Sequence, residues 1–98
     1  MNYKTMKLTS AKRITIPVNA VVEIEVNEFV EIEHLKYSYG QFFLRKMFAK
    51  QGLLQAVHTP FPSGYNDKPL VVVKNDSVAP IEILANEELG EIWIWVNF

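Results

Sequence analysis

Apolar residues fall on every second position through much of this chain, and that period of two decides what it can fold into. Val22, Ile24 and Val26 share one face and Glu23 and Glu25 the other; Ile14, Ile16 and Val18 alternate with Arg13, Thr15 and Pro17. The alternation runs on through Val30 and Ile32, and returns in Ile81 and Ile83 about Glu82. Successive side chains of an extended strand point to opposite faces, so each run reads as a half-buried strand. Residues 17–20 read as a turn, because proline cannot sit inside a ladder. Residues 40–46 and 53–57 supply further short strands. Residues 70–75, apolar on successive positions, predict a strand covered on both faces. Residues 86–90 form a polar turn, and residues 91–98 a strand with Ile92, Ile94 and Val96 on one face and Trp93 and Trp95 on the other. Residues 45–54 break the pattern: good helix formers are followed by Gly52, a suitable residue just past a helix end. The expectation is roughly eight short strands and one or two helical turns in a single domain, residues 1–98, an all-β sandwich or barrel.

A chain of 98 residues buries a modest core, which makes oligomerisation a natural source of stability. The two tryptophans sharpen this point, since both faces of the last strand are hard to cover from within so small a domain; either a loop or a neighbouring subunit covers them. Net charge is −1, so no general attraction to nucleic acid or to an anionic membrane is expected. Local charge is uneven. Lys4, Lys7, Lys12 and Arg13 have no acid among them, while residues 76–98 hold five acids and no base. This is either solvated surface charge or a head-to-tail attraction between subunits. There is no cysteine, which removes disulfides and zinc–thiolate sites and fits a cytoplasmic protein. No apolar run reaches the ~20 residues of a membrane span, and the first residues lack a secretory signal core.

From Gly40 onward the chain resembles the dUTPase and dCTP-deaminase family. That family's phosphate motif reads approximately Arg-Ser-Ser-Leu-Ala-Arg-x-Gly-Leu; residues 45–53 keep Arg45, Ala49, Gly52 and Leu53, carry Lys50 as a basic replacement, and have Lys46 and Met47 for the serines. The family's hairpin motif reads approximately Gly-x-Ile-Asp-x-Gly-Tyr; residues 59–65 keep Gly64 and Tyr65, place Phe61 at the apolar position and put Pro62 where the aspartate stands. Farther on, Asn75, Ser77 and Pro80 match, and Glu91 falls on a glutamine. The order and spacing of these short matches carry the resemblance. The family's N-terminal Ala-Gly-x-Asp-Leu-like segment is not visible, and its glycine-rich closing arm would lie beyond Phe98. The resemblance implies a β-clip fold assembled as a trimer of such chains.

Hydrolysis at an α-phosphate needs a base for the attacking water, cations and N–H groups on the phosphates, and a segment that excludes solvent. In the family, the hairpin aspartate is the base, the arginine–serine run and the glutamine hold phosphates, and magnesium bridges them. Here Pro62 cannot accept a proton, both serine hydroxyls are lost, and Glu91 would repel a triphosphate. No catalytic residue, no metal ligand and no cofactor is therefore expected. Asp67 reads as a turn residue, and His34 and His58 lack partners at metal spacing. The resemblance leaves Arg45, Lys50, Gly64 and Tyr65 as candidate nucleotide or anion contacts. Phe61, on a hairpin stiffened by Pro60 and Pro62, is a candidate protein contact with Trp93 and Trp95.

These readings lead to a non-catalytic homotrimer acting through protein contacts, such as a virus- or phage-type assembly or decoration protein, in the cytoplasm or within a virion. The alternatives are a protein that binds a nucleotide without hydrolysing it, and an active dUTP pyrophosphatase whose base has moved.

Overall fold

Ten strands and one short helix make up the described part of the chain. The computed structural model describes residues 2–35 and 37–96; Asn97 and Phe98, which the alternation carries into the last strand, lie outside the described residues. The strands are β1 (Asn2–Thr9), β2 (Ile14–Ile16), β3 (Val21–Glu25), β4 (Val30–Glu31), β5 (Tyr39–Leu44), β6 (Leu53–Gln55), β7 (Asn66–Asp67), β8 (Leu70–Asn75), β9 (Ile81–Ile83) and β10 (Glu88–Val96), with α1 (Lys46–Gln51) between β5 and β6. They form small antiparallel sheets in the orders β1-β10-β5, β2-β9, β3-β8-β6 and β4-β7. The all-β expectation holds; the sheets do not close into a barrel.

The alternating residues do what their spacing dictates. Ile24, Val26, Val30, Ile32, Ile81 and Ile83 are all buried, and Glu23, Glu25 and Glu82 are exposed. Inward residues of the β1-β10-β5 sheet (Leu8, Phe42, Ile92, Ile94) and of the β3-β8-β6 sheet (Ile24, Leu53, Val71, Val73) join one core. The two sheets thus pack as layers, each leaving an outer face. Helix α1 contributes Phe48 to that core and ends at Gly52, whose left-handed φ of 98° lets its N–H reach the carbonyls of Phe48 and Ala49.

Several expectations need correction. The lysine-rich first residues are a strand: β1 pairs with β10 from Asn2–Val96 to Thr9–Glu88. The chain's basic start and acidic end therefore meet within one molecule. Lys7 lies 3.3 Å from Glu88, and Arg13 2.7 Å from Glu82 across β2–β9. Residues 86–90 are not wholly a turn. The turn is at Ala85 and Asn86, β10 begins at Glu88, and Leu89 is fully buried. The register slips there, Leu8 facing Gly90 and Thr9 facing Glu88, so Leu89 is the extra residue of a bulge that turns its side chain inward. Strand β8 is not covered on both faces; Leu70 is 50% exposed and only Val71, Val73 and Asn75 are buried. A three-stranded sheet with one packed layer covers one face, and an apolar outer face does not change that. Val18, which the alternation grouped with Ile14 and Ile16, is exposed with Asn19 in the turn expected at residues 17–20.

The described residues extend 45 × 20 × 18 Å. Their Cα radius of gyration, 14.0 Å, exceeds the roughly 12.6 Å of a compact domain this long. Among the described residues no sheet has more than three strands.

Candidate functional site

The segment from Ala56 to Asp67 is an arm fastened along its length. The Ala56 N–H donates to Val72 O (2.8 Å), and Phe61 exchanges both backbone bonds with Gly40, at 2.7 and 2.9 Å. Farther on, Gly64 N–H donates to Ile32 O and Ile32 N–H to Tyr65 O, which ties the tip to the stretch after β4. The Ser63 hydroxyl adds a 2.7 Å bond to Leu35 O. Gly64 has a φ of 82°, and a Cβ there would lie 2.7 Å from His34 Nδ1, so the turn requires glycine on both counts. The tip turn closes by Tyr65 N–H donating to Pro62 O.

Beneath this arm lies a hollow of about 270 Å³. Its wall includes Phe42, Val57, Pro60, Phe61, Pro62 and Tyr65, and no acidic or basic side chain lines it. Phe61 is half-buried rather than exposed at a tip; it packs on the core and meets the Tyr65 ring edge-on at 4.9 Å. Pro62 is exposed at the rim. Burial raises the Tyr65 phenol above its ordinary value of 10.0, with the Asp67 charge adding to the effect. Tyr65 therefore stays a neutral hydroxyl at any physiological pH. Asp67 pairs with Val30 in the β4-β7 sheet, and its carboxylate accepts the Lys68 N–H at 2.7 Å.

Arg45 stands elsewhere. It precedes α1 with its N–H on Leu89 O at 2.8 Å, and its guanidinium lies 3.8 Å from both Glu87 and Glu88. The shallow cleft beside it is shared with Lys46, Glu88 and Glu91. Two cations there face two carboxylates, with Glu87 against Arg45 besides, and such a balance does not favour a polyphosphate. Lys50 is exposed on the last turn of α1. Within one chain, the candidate nucleotide contacts are thus divided: Tyr65 lines the apolar hollow, Gly64 shapes the arm tip, and Arg45 lines the charged cleft. Sequence reasoning noticed Glu91 and missed Glu87 and Glu88, because the bulge that brings them to Arg45 leaves no mark in the alternation. No group of three or more His, Cys, Asp or Glu suited to a metal occurs among the described residues.

The second feature is the outer face of the β1-β10-β5 sheet. Tyr3 stacks on Trp93 at 5.2 Å and 7°, Trp93 leans on Trp95 at 6.0 Å and 33°, and Trp95 stacks on Tyr39 at 5.0 Å and 21°. Phe43 meets Trp93 edge-on at 6.2 Å. Cross-strand neighbours on a sheet are close enough for such pairs, so β1 and β5 partly cover the tryptophans that the sequence left to a loop or a subunit. Tyr3, Tyr39 and Phe43 remain 61%, 39% and 50% exposed.

No family model and no curated protein matches the sequence. Solved structures do match. EIAV dUTPase is 21% identical with a TM-score of 0.76, over 94% of this chain and 84% of that one. The dUTPase from phage phi11 of S. aureus is 13% identical with a TM-score of 0.81, over 96% and 77%. A mutant dUTPase of Staphylococcus bacteriophage 80alpha is 12% identical with a TM-score of 0.80, over 99% and 91%; phage dUTPases are described as controlling transfer of virulence genes by a proto-oncogenic G protein-like mechanism. At these identities the likeness speaks for the backbone alone. This chain has the dUTPase-like β-clip fold.

Proposed function

We propose that this protein is a non-catalytic homotrimer built on the dUTPase-like fold, and that it works through protein contacts rather than by hydrolysing a nucleotide. The observation that carries this reading is the chemistry of the hairpin hollow: Pro62 stands where the resemblance places the water-activating aspartate, and the wall of the hollow holds no carboxylate. The neutralisation of Arg45 by Glu87 and Glu88 supports it from the phosphate side. Losing one transition-state donor costs ~10²–10³ in rate, and several such groups are replaced here.

The self-associating part of the proposal draws on shape. An elongated chain with small sheets and many exposed aliphatic and aromatic side chains gains most of its missing burial from copies of itself. The specialisation we propose is a virus- or phage-type assembly, decoration or regulatory protein, in the cytoplasm or within a virion; the phage proteins among the structural neighbours support it. No helix among the described residues is long and apolar enough to cross a membrane.

A pyrophosphate-release assay with dUTP and Mg²⁺ tests the chemistry, and no turnover above the uncatalysed rate is expected. Light scattering tests the assembly, with an expected mass about three times the 11.3 kDa of the chain. Enzyme-like turnover or a stable monomer would refute the corresponding half.

One observation favours a second reading, a nucleotide bound without hydrolysis. The hollow beside Tyr65 approaches the ~300–1,000 Å³ range of ligand pockets. A nucleotide at 100 times its Kd would add about 2.7 kcal/mol of stability, so a thermal-shift series with dUTP, dUMP and dCTP separates the two readings.

A further inference from the structure

The aromatic face of the β1-β10-β5 sheet has a property that narrows its use. Tyr3, Trp93, Trp95 and Tyr39 stand as a comb, each ring laid against the next. The faces of the two tryptophans are taken up within the comb, and only the end rings, Tyr3 and Tyr39, keep a face free, so the middle of the row presents edges. A sugar ring or a nucleobase binds such residues through their open faces; a packed row of edges, tipped by indole N–H and phenol O–H groups, fits a protein surface.

We infer that the occupant is the same face of other copies of this chain, the combs meeting about the axis of the assembly. This rests on the self-association proposed above and names the surface responsible. Charge supports it: the outward ionisable residues of the three strands are Lys7, Glu88 and Glu91, and Arg45 at the end of β5 joins Lys7 in reaching Glu88, so two cations meet two carboxylates. A face without net sign is compatible with itself. Area supports it too. Five aromatic side chains of roughly 150–250 Å² each, less than half exposed on average, offer about 400 Å². That is as much as the largest apolar patch of an ordinary monomer, ~300–600 Å². It makes up half of the ~800 Å² per partner in a standard interface, the rim supplying the rest. The free edge of β1 offers no competing route to sheet extension, because Lys4, on the inward side with Met6 and Leu8, is exposed beyond the core. A charge placed there opposes strand addition.

Trp93 and Trp95 are the only tryptophans in the chain, so indole emission reports on this face alone. The experiment follows mass and tryptophan emission together through a dilution series of the wild-type protein. Mass loss accompanied by a red shift and faster acrylamide quenching is expected. A Tyr39→Lys/Phe43→Lys double variant is expected to dissociate at a concentration on the order of 100-fold higher, while Leu54→Lys on the outer face of the other layer keeps the wild-type mass. If the double variant proves unfolded by circular dichroism, the wild-type emission series decides. Dissociation without any change in emission, or a folded double variant of wild-type mass, overturns the assignment of the face and leaves self-association standing. A wild-type protein that is monomeric throughout overturns both and gives the comb to a different protein.

Discussion

No side chain fits between Gly52 and Ser77. A Cβ built on Gly52 would lie 2.7 Å from the Ser77 Cβ and 3.2 Å from its Cα, and the φ of 98° is unfavourable for any residue that carries one. The contact joins the end of α1 to the loop after β8, where Asp76 N–H donates to Gly52 O at 2.9 Å. Gly52→Ala should destabilise the fold by about 1–3 kcal/mol. Thermal unfolding is the check, with a drop of about 4–8 °C for each kcal/mol in a domain of this size.

Asn75 should be harder to replace than its size indicates. Its buried amide donates to Ile16 O and Ala79 O, both at 2.9 Å, and its carbonyl accepts from the Ser77 N–H and hydroxyl at 3.0 and 2.7 Å. Asn75→Asp would set a carboxylate against two carbonyl oxygens with no solvent to separate them. The expected loss is about 3–5 kcal/mol, measured by urea unfolding. Asn75→Ala should cost about 2–3 kcal/mol by leaving the partners unpaired.

Restoring one carboxylate should not restore chemistry. Pro62→Asp places a base at the rim of the hollow, yet Arg45 stays held by Glu87 and Glu88 and the cleft beside it keeps its acids. The expected dUTP turnover of this variant is indistinguishable from background. Activity within a few orders of magnitude of an ordinary enzyme would show that the base alone was missing.

Tyr65 gives a pH dependence with a definite sign. Its phenol ionises above 10.0 in the folded chain, through burial first and Asp67 second. The unfolded chain releases that proton near pH 10 while the folded chain still holds it, so stability falls with rising pH between the two values and is unaffected below them. Alkaline unfolding of Tyr65→Phe should show a shallower decline above pH 10 than the wild type, with the curves parallel at pH 7–9.

The alternation at Val22, Ile24 and Val26, and at Ile81 and Ile83, made their burial legible, because a strand's facing is a local property. Gly52 was legible for the same reason. The first strand was hidden by its lysines: Lys4 and Lys7 on an edge strand lie in solvent whichever face they take, so they blur the pattern of Met6 and Leu8. Strand β8 misled in the opposite direction, since Leu70 and Val72 are apolar on a face that no other layer of the chain covers. The salt bridges of Lys7 and Arg13 depend on β1 meeting β10 and β2 meeting β9, pairings 65 to 94 residues apart in sequence that no local signal announces. At the site, Pro62 was readable as a residue that cannot act as a base where the resemblance places an aspartate, whereas the pairing of Arg45 with Glu87 and Glu88 depends on a bulge at Leu89.

Strand β10 occupies the middle of its sheet, between β1 and β5, and carries both tryptophans of the comb. It is also synthesised after both of its neighbours. While the ribosome is still making residues before Glu88, Tyr3, Tyr39 and Phe43 have no central strand to gather on, so the comb does not yet exist. Any contact made through the comb must therefore wait until each copy has closed its own sheet.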